Sequence, residues 1–128
     1  MPHTVVYQRE TGIVEIAAEG VITLAEMKEI FLEGAKQLAK HKGHLTLSDY
    51  RKASIKLSTV DLFNLPQIVS TAVKLEGIDV QRLKRAIVMA PKDRADARFS
   101  ENVTTNAGQN SKFFENSEKA RAWLLSDT

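Results

Sequence analysis

The stretch "RAIVMAP", Arg85 to Pro91, decides the fold. From Ala86 to Ala90 every residue is apolar and none is offered to water, as in a parallel strand covered on both faces. It is the expected central strand. Parallel neighbours are joined by crossovers of a dozen or more residues, usually helical, and both flanks of this stretch are long enough to supply one.

Working back toward the N-terminus, Ser58 opens a helix with Leu57 and Leu62 placed as a hydrophobic staple across the cap. Leu65, Ile68, Val69, Ala72 and Val73 form its inner stripe, and Gly77 ends it. Pro66 lacks the N–H that would bond to Leu62, so a kink is expected there, or a short first turn with the helix restarting near Asn64. Before it stands "HLTLSDYRKAS", His44 to Ser54. Leu45 to Asp49 alternates like a strand, which is expected to end where Asp49, Tyr50 and Arg51 follow one another.

Further upstream, Leu24, Met27, Phe31, Ala35 and Leu38 fall on one helical stripe. Thr23 with Glu26 gives a capping box, Ile22 with Met27 a staple, and Gly43 is the expected left-handed terminator. Thr4 to Gln8 and Ile13 to Ala18 read as a hairpin turned at Gly12. Downstream, Asp93 to Gly108 is a weaker helix with Ala95, Phe99 and Val103 four apart. A short strand, Lys112 to Phe114, then leads to Asn116 as a cap and a last helix with Ala120, Trp123 and Leu124 inside. The order β-β-α-β-α-β-α-β-α implies an α/β fold, a mostly parallel, helix-covered sheet with an antiparallel first strand and right-handed crossovers.

At 128 residues without a repeat or linker the chain reads as one domain, residues 1–128. There is no cysteine, so disulfides and sulfur-based zinc sites are excluded. No apolar run reaches the roughly 20 residues of a membrane span, and Met1 to Glu10 does not read as a leader, so a cytoplasmic protein is expected. Formal charge is +2 and the signs alternate along the chain, unlike a nucleic-acid-binding face. The densest basic stretch, Arg82 to Arg98, is diluted by Asp93 and Asp96.

"EGVITLAEMKEIF", "LTLSDYRKAS", "RAIVMAP" and "FFENSEKARAWLL" resemble, in order and spacing, the SpoIIAA-like proteins, a branch related to STAS domains. The carrying residues are Asp49 and Arg51, with Phe114, Asn116, Ala120, Trp123 and Leu124. The resemblance implies a STAS-like α/β fold, usually without catalysis. Anti-sigma antagonists of this class switch on a serine directly after the strand-ending aspartate. Here that position is Tyr50, and the next serines are Ser54 and Ser58, so the switch does not transfer. A more distant likeness reaches lipid-binding domains that hold an apolar ligand between sheet and helices.

Asp49 is expected at the carboxyl end of a parallel strand, where open α/β sheets bind ligands. Its two readings are a binding or catalytic carboxylate and a structural ion pair with Arg51, the second preferred because no partner acid, base or metal ligand accompanies it. His3, His41 and His44 are read as solvated, with no metal site and no cofactor. Trp123 is assigned to the core. Leu62, Phe63 and Leu65 cannot share one narrow stripe, so an apolar groove beside Pro66 is expected, or Phe63 capping the core. The functional expectation is a non-enzymatic regulatory or ligand-binding module acting through Asp49, Tyr50, Arg51, Ser58 and Phe63. The alternatives are a carrier of a small apolar or lipid-like ligand and an enzyme using Asp49. Possible partners are an apolar small molecule, a protein, or a second copy paired through the edge strand Lys112 to Phe114.

Overall fold

A computed structural model describes residues 3–126. Five strands form one sheet in sequence order: β1 (His3–Gln8), β2 (Ile13–Ile22), β3 (Leu45–Ile55), β4 (Lys84–Val88) and β5 (Asn110–Phe114). β1 pairs antiparallel with β2, and every later pair is parallel. The connecting helices are α1 (Leu24–His41), α2 (Thr59–Leu75) and α3 (Arg94–Asn106), and α4 (Ser117–Leu124) follows β5. The order expected from sequence is therefore the one observed.

The pleat sorts the sheet's side chains into two layers, because successive residues point to opposite faces. Val14, Ile16, Tyr50 and Ile87 meet Met27, Ile30 and Leu38 of α1 and Val73 of α2 on one face. Ile13, Leu45, Leu47, Ala86 and Val88 meet Ala120 and Leu124 of α4 on the other. β4 feeds both cores, which is why its sequence is apolar without interruption.

The helix ends follow local chemistry, with four departures from expectation. Thr23 accepts the Glu26 N–H at 3.4 Å, but Glu26 does not return the bond, and one of its carboxylate oxygens is buried without a partner among the described residues. The complete capping box lies instead at α2, where Ser58 and Asp61 exchange bonds of 3.1 and 3.2 Å. α1 is terminated by Lys42 at φ 53°, not by Gly43, whose N–H bonds back to the Leu38 carbonyl at 2.9 Å. α2 runs unbroken through Pro66 rather than restarting at Asn64, ending at the expected Gly77, φ 77°.

The fourth departure concerns α3. Its inward residues are Ser100 and Thr104, whereas Ala95 is exposed and Phe99 and Val103 are only partly covered, so the apolar stripe does not choose the packing face. One reason is a polar tie: Glu101 accepts the Phe113 N–H of β5 at 2.8 Å, and that bond fixes the helix's rotation against the sheet edge.

α4 has eight residues and covers its face of the sheet alone. It is pinned at its C-terminus by Lys84, a buried lysine whose Nζ bonds to the carbonyls of Trp123 at 2.5 Å and Ser126 at 3.1 Å. The ammonium also sits 4.7 Å from the Trp123 ring centre. A cation here neutralises the negative end of the helix. Lys84→Met keeps the stem and removes the charge, and should cost about 1–3 kcal/mol of stability. The urea midpoint should fall with an unchanged slope; an unmoved midpoint would mean that water replaces the ammonium.

Candidate functional site

The "DYR" motif does not end a strand. β3 continues to Ile55, and Asp49 is only the last of its residues to pair with β4, opposite Val88. Immediately beyond, the register with β2 shifts: Ala17 faces Asp49 and Glu19 faces Lys52, so Tyr50 and Arg51 together oppose Ala18. That two-against-one arrangement is a β-bulge, which leaves one residue outside the ladder and bends the strand.

Asp49 holds the bulge. Its Oδ1 accepts the Arg51 backbone N–H at 3.1 Å and the Arg51 Nε–H at 3.0 Å, and its Oδ2 accepts from Nη2 at 2.7 Å. Partial burial pushes the Asp49 pKa up, but the Arg51 hydrogen bonds and charge outweigh it and hold the carboxyl below the usual value. Arg121 of α4 adds to this field while itself gripping Glu15 of β2 at 2.9 and 3.1 Å. Asp49 and Arg51 therefore form an ion pair on the α4 side of the sheet.

Tyr50 points the other way. It is 4% exposed, and its hydroxyl donates to Met27 Sδ at 3.6 Å; burial pushes its phenol pKa up. It lines a pocket of about 60 Å³ between the sheet, α1, α2 and α3. The walls are apolar: Met27 and Phe31 from α1, Leu62, Leu65 and Pro66 from α2, and Ile87, Met89 and Phe113 from the sheet and the residues flanking it. Leu57 and Leu62, the expected staple, both belong to this wall.

Polar groups enter at two ends. Arg85 lies near the start of β4 beside Ser111, its Nη1 donating to Ser111 Oγ at 3.3 Å and its guanidinium 5.9 Å from the Phe31 ring centre. Asp93 and Asp96 line the pocket where the chain enters α3, with Ser100 and Thr104 along the same wall.

Of the five residues singled out by sequence, only Tyr50 reaches the pocket. Asp49 and Arg51 face α4, Ser58 is an exposed helix cap, and Phe63 is 64% exposed beside Val60 at 67%. Phe63 thus neither caps the core nor lines the groove. The groove beside Pro66 does exist, but Leu62 and Leu65 build it. Arg85 and Ser111 were not singled out. The signal for Arg85 was present: a charge opening an otherwise apolar buried strand.

The remaining candidates, the histidines and Trp123, lie outside the pocket. His3 bonds to Glu33 at 2.6 Å, and His41 stacks on Tyr7 with ring centres 3.9 Å apart, so neither is simply solvated; His44 is exposed. Trp123 packs with Phe114 in the α4 core, while Phe113 faces the pocket. Among the described residues no group of three or more His, Asp or Glu is placed to hold a metal ion, and no helix is long and apolar enough to cross a membrane.

Removing the Asp49 carboxylate with Asp49→Ala should destabilise the protein by about 1 kcal/mol at pH 7, since the pair is partly exposed and also serves a backbone N–H. Because the folded pKa is depressed, this contribution is present above the unfolded value near 4 and is lost as pH falls through the folded one. Urea melts of the two proteins should therefore converge below about pH 4; a gap constant with pH would show that the charge is irrelevant.

No family model matches the sequence, and no curated protein matches it. Among solved structures, an uncharacterised DUF3478-family protein from Shewanella loihica with a SpoIIAA-like fold is similar over 95% of this chain and 93% of its own, with 18% identity and a TM-score of 0.59. At that identity the likeness speaks for the fold and for nothing finer. The architecture of this chain is SpoIIAA-like, a mixed α/β fold with one antiparallel strand pair at the edge of a parallel sheet.

Proposed function

We infer that this STAS-like module is a non-enzymatic binder of a small, largely apolar molecule, taken into the pocket between the sheet, α1, α2 and α3. The observation that carries the reading is the pocket itself: a concave, apolar wall drawn from three helices and the sheet, with a few convergent polar groups. Its volume of about 60 Å³ is well below the roughly 300 Å³ or more of a ligand-sized pocket, so a longer ligand parts α2 from α3 as it enters.

The α2–α3 seam is suited to that. α3 presents Ser100 and Thr104 rather than its apolar stripe, and the two helices touch only over a short length. A tie holds the far end, where the Gln109 side-chain amide donates to the Pro66 carbonyl at 2.8 Å. A catalytic role finds little support in the same site: the Thr104 hydroxyl is committed to the Glu101 carbonyl at 3.0 Å, and the pocket contains no histidine.

Met27 and Met89 lie in the wall and report on occupancy. Titration with octanol should shift their methyl NMR signals saturably, and octanol at ten times its Kd should stabilise the fold by about 1.4 kcal/mol. Unmoved methyl signals and an unchanged melting temperature up to the solubility limit would sink the reading.

A further inference from the structure

Arg85 is out of keeping with the other buried or ordered cations of this protein. Arg51, Arg94 and Arg121 each hold a carboxylate with two bonds, and Lys84 caps a helix. Arg85 is half-buried as a residue and lines the pocket, yet among the described residues no carboxylate lies within ion-pair distance of it. Its single hydrogen bond among them goes to Ser111, long and to a neutral hydroxyl. The enclosure is sufficient for burial to push the guanidinium pKa down.

An unpaired charge in an apolar pocket is unfavourable, and one ring contact with Phe31, at 5.9 Å, offsets it only in part. The planar fork has five N–H donors, so most of them are left for a ligand. We propose that the pocket selects an apolar molecule carrying one carboxylate, with Arg85 binding the carboxylate at the end of the pocket where β4 begins. The tail runs toward Leu62, Leu65 and Met89, which line the same pocket.

The two carboxylates that also line the pocket sharpen the selection. Arg85 to Met89 spans roughly 13 Å of strand at 3.3 Å per residue, and Asp93 and Asp96 lie beyond Met89 in the chain. They oppose a second negative charge at the tail end, so a monocarboxylate is favoured over a dicarboxylate. This inference rests on the pocket being the binding site and adds the head group to it.

The test titrates octanoate, octanol and octylamine against the wild type and Arg85→Met, following the Met27 and Met89 methyl signals. The wild type should bind octanoate at least about tenfold more tightly than octanol, and octylamine most weakly, as a bidentate charged pair implies. Arg85→Met should bind octanoate and octanol alike, with octanol affinity retained, and should be no less stable than the wild type because an unpaired charge has been removed.

Equal affinity for acid and alcohol in the wild type would overturn the head-group assignment and leave the pocket reading standing. Binding of none of the three would overturn both. A preference for octanoate that survives Arg85→Met would also overturn it, because the carboxylate would then be held elsewhere. If Arg85→Met does not fold, Arg85→Lys decides. It keeps a charge but loses the fork, so octanoate should weaken several-fold with octanol unchanged, and unchanged octanoate binding would overturn the assignment.

Discussion

A parallel sheet has to be kept from water on both faces, and in this protein the two faces are covered very unequally. α1, α2 and α3 follow consecutive strands and lie on one side, so α4, with eight residues, shields the other. A helix so short has little intrinsic stability and is held by what it packs on. Lys84 at its C-terminus and the Arg121–Glu15 pair supply polar ties in addition to Ala120 and Leu124, and both ties start from sheet residues. The crowded side has the opposite problem. Three helices cannot all close perfectly over Tyr50, Ile87 and Phe113, and the residual space is the pocket.

The bulge in β3 connects these two sides. Tyr50 faces inward by the regular pleat, and the extra residue opposite Ala18 then resets the alternation, so that Ala53 is the next fully buried position rather than Lys52. Asp49 fixes the bulge from the α4 side while Tyr50 lines the pocket on the other. Three adjacent residues thus serve two faces. Tyr50 is part of the pocket wall, and its buried hydroxyl is engaged with a methionine sulfur.

Where local chemistry governed the outcome, the sequence could be read directly. Gly12 and Gly77 adopt positive φ, Asn116 caps α4 through the Lys119 N–H at 3.0 Å, and the apolar run of β4 is buried on both faces. Several of the misreadings involve contacts between elements rather than the local pattern. Lys42 rather than Gly43 takes the left-handed position because Gly43 has to meet Leu38, with the Gly12 carbonyl close by. α3 turns its serine and threonine inward because Glu101 is bonded to β5. Pro66 does not break α2, and its carbonyl takes the Gln109 amide across 43 residues of sequence separation.

The sequence by itself determined the element order, the fold class and the apolar centre, because hydrophobic period and turn chemistry are local properties that a chain carries wherever it folds. It also supplied every group of the candidate site without marking which would meet. The tertiary structure decided that Asp49 and Arg51 belong to a bulge, that Phe63 stays in water, and that Arg85 lines the pocket with no carboxylate of the described residues within ion-pair distance. The pairing of charges depends on distances of a few ångströms between strands and helices remote in sequence, and no local pattern encodes them.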